Sequence, residues 1–172
     1  MAVSMVRASA VISALAALVL ASAGCSTEKV VDKKDVENTV SSKLNDSLGH
    51  KPESVTCPEN LNGKVGATLD CQAKDSGLTF TVPIKVTSVD GDKVHYDINV
   101  VTLGKDKVVD GIKSWGTGQG YELQSVSCPG DLLGVVGYEM DCEATDATGT
   151  GTIHVTTRTV NGTDVHYEVE VA

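Results

Sequence analysis

An internal repeat is the feature that most constrains what this chain can fold into. Shifted by 71 residues, the segment 54–101 aligns with 125–172 without a gap. A fixed period of matching residues is the signature of a repeated structural unit, so the sequence predicts two similar modules. Identical blocks, each repeated 71 positions later, include Ser54-Val55, Cys57-Pro58, Val65-Gly66, Asp70-Cys71 and Val94-His95-Tyr96.

One pair of cysteines recurs in each copy, Cys57 with Cys71 and Cys128 with Cys142. Four cysteines allow three pairings, and the repeat favours pairing within each copy. Closing a loop of about 15 residues stabilises a fold by roughly 3 kcal/mol, comparable with the roughly 3–5 kcal/mol that so small a core supplies. A redox switch or a metal site is a weaker interpretation because the chain has no CxxC motif and no nearby histidine at ligand spacing.

The amino-terminal 24 residues have the pattern of a signal peptide. A short segment with one Arg precedes an apolar run at 8–23, which ends in small residues directly before Cys25. Small residues followed at once by Cys resemble the lipobox of bacterial lipoproteins, in which the thiol takes up diacylglycerol and becomes the first mature residue. Ser22 occupies the place that usually holds Leu, so the alternative is an ordinary cleavable signal followed by a free thiol.

The sequence therefore predicts a signal peptide at 1–24, a tether at 25–31 lipidated on Cys25, and export to the outer face of the cell membrane. Without residues 1–24 the chain has 13 basic and 23 acidic side chains, a formal charge of −10. Phosphate backbones and anionic lipids repel such a surface, which argues against nucleic-acid binding. The attached lipid is then the predicted contact with the membrane.

Hydrophobic periodicity predicts an α+β fold of two tandem modules, 32–101 and 102–172. Each is expected to have one helix packed on a four-stranded antiparallel sheet, with one internal disulfide. In the first copy a helix begins after an N-cap at Asp32 and stops at Gly49, with apolar residues at every fourth position. That apolar stripe consists of Val36, Val40, Leu44 and Leu48. The strands are predicted at 54–57, 67–73, 78–89 and 93–101, with a hairpin turn at Asp90-Gly91.

The second copy is predicted to have a weaker helix. Its apolar stripe is Val108, Val109 and Ile112. Several glycines follow, so we expect a short helix and a loose Gly-rich link to Tyr121. These glycines are Gly111, Gly116, Gly118 and Gly120. A second hairpin turn is expected at Asn161-Gly162. A further set of glycines between the bridging cysteines is expected to adopt positive φ. That set is Gly63, Gly66, Gly134 and Gly137.

These residues resemble the domain-of-unknown-function family numbered 4333, found in exported actinobacterial lipoproteins. The first copy carries the resemblance in Val36-Glu37, in the Ser-Val-Thr-Cys-Pro segment 54–58, in Cys71 and in the Val-rich hairpin strand 94–100. The second copy repeats the pattern over 125–142 but lacks the Val-Glu start. With the internal repeat, the chain resembles two tandem copies of this family. The resemblance implies a lipid anchor and a cell-envelope location, and it brings no known activity.

The repeated Val-His-Tyr segment supplies the candidate metal ligands. On an alternating strand, His95 and Asp97 share the exposed face, as do His166 and Glu168. A histidine and a carboxylate two residues apart suit a divalent cation, but two ligands on one strand do not complete a site. The favoured interpretation is a solvated strand face, and the sequence predicts no resident metal or other cofactor.

Other chemistry-bearing residues have ordinary interpretations. Asp70 and Asp141 each precede a bridging cysteine, but they belong to different modules and are predicted to be capping or surface groups. Trp115 is predicted to cover a small core, with an exposed anchor for a partner as the alternative. The chain has no esterase, zinc-protease or phosphate-loop motif.

Together these features predict a non-enzymatic interaction module on a lipid-anchored envelope protein, which presents sheet surfaces to a protein or an envelope ligand. A secreted-type enzyme inhibitor or an envelope sensor is the alternative, because the predicted modules resemble, in architecture only, the secreted inhibitors of β-lactamases. An envelope hydrolase is least favoured, since it requires a cleft that sets His95 or His166 against a nucleophile.

Overall fold

A computed structural model describes residues 29–172 of the chain. The predicted signal peptide, and Cys25 with it, lies outside the described residues. The first module contains β1 (Val30–Val31), α1 (Lys33–Leu48), β2 (Ser54–Thr56), β3 (Leu61–Asn62), β4 (Thr68–Asp75), β5 (Leu78–Asp90) and β6 (Lys93–Ile98). The second contains β7 (Thr102–Leu103), α2 (Lys105–Gln119), β8 (Ser125–Ser127), β9 (Leu132–Leu133), β10 (Glu139–Thr145), β11 (Thr150–Asn161) and β12 (Asp164–Val171).

Each module has one four-stranded antiparallel sheet, in the order β2-β4-β5-β6 or β8-β10-β11-β12. The predicted α+β layout of two modules is confirmed, and so is the disulfide pairing, Cys57 with Cys71 and Cys128 with Cys142. Two additional ladders, β1 with β3 and β7 with β9, were not predicted because strands of two residues show no periodicity. Strand β1 lies within the segment 25–31 that the sequence assigned to the tether.

Helix α1 follows its sequence signals closely. The Asp32 side chain accepts a hydrogen bond from the Lys34 N–H at 2.8 Å, and Gly49 ends the helix with φ 77°. The four predicted stripe residues are all buried. They pack against the inner face of the sheet, where β4 alternates strictly between exposed and buried residues. Burying one such aliphatic side chain contributes about 1.5–3 kcal/mol, so this face is the main source of the module's stability.

The expectation of a short second helix was wrong. Helix α2 runs for 15 residues through three of the glycines and ends at Gly120. At Gly111 a Cβ atom would overlap Tyr167 Oη, and at Gly116 it would lie 2.7 Å from Leu123 Cδ1. These glycines therefore allow β12 and the segment after the helix to approach the helix backbone. Close packing offsets the low helix propensity of glycine, and the expected loose link does not form.

Two smaller expectations also need correction. The hairpin turns are Gly91-Asp92 and Gly162-Thr163, one residue later than predicted, since Asp90 still pairs with Lys93 and Asn161 with Asp164. Of the four glycines between the bridging cysteines, Gly66 and Gly137 have positive φ, 87° in both cases. The other two are sites of close approach: a Cβ on Gly63 would lie 2.7 Å from Lys29 O, and one on Gly134 would lie 2.8 Å from Val101 Cγ1.

The packing of α2 predicts opposite effects for the same substitution at two of its glycines. Gly111→Ala should lower the free energy of unfolding by about 1–3 kcal/mol, because the new methyl group overlaps the Tyr167 hydroxyl. Gly118→Ala should raise it by about 0.5–1 kcal/mol, since a Cβ there meets open space and alanine favours the helix. Urea unfolding followed by circular dichroism measures both. Equal effects at the two positions would contradict the proposed role of Gly111.

Candidate binding pocket

The predicted metal ligands lie on exposed strand faces. His95 and Asp97 are both exposed on β6, and His95 Nε2 is 3.3 Å from Asp90 Oδ2. On β12 the Glu168 carboxylate accepts a hydrogen bond from Arg158 Nε at 2.6 Å, while His166 is exposed. Within residues 29–172 no three His, Cys, Asp or Glu side chains converge as a cation site would need. The structure therefore does not bring these candidates together.

A histidine–aspartate pair that sequence reasoning missed occurs between β10 and β11. Asp141, exposed as predicted, lies directly opposite His154, and His154 Nδ1 is 2.6 Å from Asp141 Oδ1. In the first module the corresponding pair is Asp70 opposite Pro83. The pairing register of β10 and β11 places the two residues opposite each other, and it is the signal that would have revealed the pair. With both side chains largely in solvent, the pair is a surface hydrogen bond of small energetic value.

A buried carboxylate lies where the two modules meet. Asp75, at the end of β4, is 2 % exposed. Its Oδ2 accepts a hydrogen bond from Tyr138 Oη of the second module at 3.0 Å, and His50 Nε2 lies 3.0 Å from the same oxygen. Burial, followed by the negative charge and hydrogen bond of Asp75, raises the pKa of Tyr138 well above its ordinary value. This cluster joins the modules through one buried polar contact.

Backbone contacts complete the junction. The Asp131 N–H donates to Ser47 O at 2.7 Å. A Cβ on Gly49 would overlap Pro129 O, and one on Gly130 would overlap the Leu48 backbone. The carboxyl end of α1 is thus covered by the Pro-Gly turn of the second module. None of these contacts was predicted, because the partners are far apart in the sequence.

A pocket of about 230 Å³ opens at the corresponding end of the second module. Trp115 of α2 and Tyr121, which follows the helix, form one wall, and their rings stack with centroids 5.9 Å apart. Apolar side chains of Leu123, Ala144 and Ile153 line the interior. The remaining lining residues are Asp146, Thr148, Gly149, Thr150, Gly151, Thr152 and Val171.

A core side chain of the first module has no counterpart at the pocket. In the first module Phe80 of β5 pairs with Ala73 of β4 and is 7 % exposed. In the second module Gly151 of β11 pairs in the same way with Ala144 of β10. The phenyl group that fills the first core therefore has no counterpart here, and the space is left open.

Trp115 lies between the two positions that the sequence suggested, a buried cover and an exposed side chain. It is partly buried against the core cluster, as a covering residue would be. It also lines the open pocket beside Tyr121, which is 46 % exposed. An indole that is packed on one side and accessible on the other is typical of binding surfaces.

The rim of the pocket carries a fixed negative charge. The Asp146 carboxylate accepts hydrogen bonds from the Thr148 N–H at 2.7 Å, from Thr148 Oγ1 at 2.6 Å and from the Gly149 N–H at 3.1 Å. These bonds hold the pKa of Asp146 below its ordinary value. The carboxylate therefore stays ionised at neutral pH, but its oxygens are occupied by the turn and are poorly placed to transfer a proton.

A family model described as Domain of unknown function (DUF4333) matches residues 14–91. The match covers just under half of the chain and includes α1, the first disulfide and β5. It confirms the predicted resemblance for one copy, and the pocket lies outside it. Neither curated proteins nor solved structures gave a significant match.

Among the described residues, neither helix is long and apolar enough to cross a membrane.

The junction predicts an alkaline loss of stability that depends on Tyr138. Because its pKa is raised in the folded state, Tyr138 keeps its proton above pH 10 while an unfolded tyrosine loses it. The free energy of unfolding should therefore fall as pH rises beyond about 10. Tyr138→Phe should flatten this fall and should lower stability at pH 7 by about 1–3 kcal/mol, because buried Asp75 loses a donor.

Urea unfolding at neutral pH and between about pH 9 and 11 tests this expectation. Tyr121→Phe is the matched control, since Tyr121 is exposed and belongs to no junction contact. If the Tyr138→Phe chain lost stability with pH as steeply as the unmodified chain, Tyr138 would not be the group responsible.

Proposed function

We propose that this chain is an exported, lipid-anchored envelope protein that acts by binding, and that it binds a partner through the pocket of its second module. The observation that carries the proposal is the replacement of the core residue Phe80 by Gly151 at one position of the repeat. This exchange removes stabilising burial, and an aromatic-walled pocket of about 230 Å³ lies where the ring would be. A few apolar and aromatic walls with a small number of polar groups are typical of ligand sites.

The composition of the pocket favours binding over catalysis. Its ionisable lining residues are Asp146 and Tyr121. The Asp146 carboxylate is held by its own turn, and the Tyr121 ring stacks on Trp115. Acid–base or nucleophilic catalysis needs an activated group positioned against a partner group. The one hydroxyl–carboxylate contact reported for this lining, Thr148 with Asp146, closes a turn within a single loop.

The location rests on the amino-terminal pattern. An apolar run ending in small residues directly before Cys25 resembles the site of lipid attachment, apart from Ser22 in the usual place of Leu. Two intramodule disulfides suit an oxidising compartment. A lipid on Cys25 would tether the first module by four residues before Val30 of β1. The pocket, on the other module, would then stay available to partners in the envelope.

The lipid anchor predicts that Cys25 carries a fatty acid. In cells grown with a labelled fatty acid, the unmodified chain should incorporate the label and the Cys25→Ser chain should not. The neighbouring substitution Ser26→Ala is the control and should leave the label in place. Label retained after Cys25→Ser would place the lipid on another residue, and an unmodified chain without label would show that no lipid is attached.

Binding at the pocket predicts site-specific cross-linking. A photoreactive amino acid placed at Tyr121 should give a discrete adduct with an envelope component in living cells. The same amino acid at Val65, exposed on the first module, is the matched control and should give none. The Tyr121 adduct should disappear when Gly151→Phe fills the pocket. An adduct of equal yield with and without Gly151→Phe would contradict binding through this pocket.

A further inference from the structure

We propose that the pocket accepts the phenyl ring of a phenylalanine carried by a basic segment of a partner protein. This inference rests on the proposed function and specifies the chemistry of the partner. The first module supplies the template, because it already holds a phenyl ring at the corresponding place.

The strand register shows that Phe80 and Gly151 occupy equivalent positions in the two sheets. Residues two positions further along the strands, Val82 in β5 and Ile153 in β11, are both buried on the inner face. Because side chains alternate between the faces of a sheet, Phe80 and Gly151 belong to this same inner face. The missing phenyl group would therefore have pointed into the space that Trp115 and Tyr121 now border.

Neither packing nor backbone conformation requires glycine at position 151. A Cβ built there meets nothing within 4 Å, whereas at Gly116 of the same module it would lie 2.7 Å from Leu123. Gly151 is also absent from the glycines with positive φ. A larger side chain would fit without strain, so the consequence of glycine here is the open space.

The space suits one aromatic ring. An apolar cavity of about 150 Å³ is enough to bind benzene, and this pocket is about 230 Å³. The stacked rings of Trp115 and Tyr121 offer an aromatic wall, against which a further ring packs favourably in an offset or edge-to-face arrangement.

Charge selects the sequence around the ring. The Asp146 carboxylate at the rim is ionised, and the whole chain carries a formal charge of −9. Lysine or arginine beside the guest phenylalanine is attracted to this rim, and acidic neighbours are repelled.

A second copy of this chain does not supply the guest. Its sequence contains one phenylalanine, Phe80, and that residue is 7 % exposed in its own core. The guest ring therefore belongs to a different protein.

The full chain in lipid nanodiscs, titrated with short peptides, tests the inference. Trp115 is the single tryptophan of the sequence, so its fluorescence reports directly on the pocket. Acetyl-Lys-Phe-Lys-amide should give a saturable change in emission. Acetyl-Lys-Ala-Lys-amide should bind about tenfold more weakly or worse, since it lacks the ring. Acetyl-Glu-Phe-Glu-amide should also bind more weakly, and salt should narrow that difference.

Two variants at one position complete the test. Gly151→Phe should abolish the response to acetyl-Lys-Phe-Lys-amide and raise the melting temperature, as its own ring fills the pocket. Gly151→Ala is the matched control and should keep most of the binding, because a methyl group leaves the space open. Circular dichroism verifies that both variants are folded.

Several outcomes would overturn the inference: no saturable response of the unmodified chain, equal binding of the alanine and phenylalanine peptides, equal binding of the acidic and basic peptides, or a Gly151→Phe chain that still binds. The cross-linking experiment distinguishes failure of this inference from failure of the proposed function. If the cross-link at position 121 forms and is lost in Gly151→Phe while the phenyl peptides do not bind, the pocket is a binding site for a different group. If the cross-link also fails, both proposals fall.

Discussion

The shared register of two strand pairs, β4 with β5 and β10 with β11, is the constraint on which the rest of this structure depends. A slip of one residue would turn every inner side chain outward, so the buried residues of both sheets hold each pair in place. Because the register is the same in both modules, Phe80 and Gly151 occupy equivalent positions opposite Ala73 and Ala144. The exchange of phenylalanine for glycine then contributes to a difference in shape: the first module has a filled core here and the second has a pocket.

The disulfides make such an exchange tolerable. Burying a phenylalanine contributes about 1.5–3 kcal/mol, and a bridge closing a loop of about 15 residues contributes roughly 3 kcal/mol. The second module keeps its bridge, Cys128 to Cys142, while it lacks the phenyl group. It also gains the close packing of Tyr167 on Gly111. The energy of one missing ring is therefore no larger than that of one covalent link, and a small module can retain its fold around an open pocket.

The sequence predicted what depends on local pattern or on the repeat. The cysteine spacing predicted both bridges, and the stripe from Val36 to Leu48 predicted α1 to within a residue. Sequence-based prediction failed where tertiary contacts decide the structure. The glycines of α2 predicted a short helix, and the contact that compensates for Gly111 comes from Tyr167, which is far along the chain. Asp75 and Asp146 occupy the same position of the repeat. Asp75 accepts a hydrogen bond from a tyrosine of the other module, whereas Asp146 accepts its hydrogen bonds from its own turn. The alignment of the two copies contained a signal for the pocket, since Gly151 aligns with Phe80. That Phe80 is a core residue, however, became clear only from the strand register.

The junction explains why the pocket end of the second module stays open within this chain. The same end of the first module is covered by the turn at Gly130 and by Tyr138, whose hydroxyl reaches Asp75. At the equivalent positions the first module has Glu59 and Ala67. Glu59 cannot replace Gly130 in its contact, because even a Cβ atom there would overlap the neighbouring backbone. Ala67 cannot replace Tyr138, because it has no hydroxyl to donate to an aspartate. The first module of another copy therefore lacks the groups that would let it cover the second in the same way. This absence is consistent with the proposal that the aromatic wall binds a partner of different chemistry.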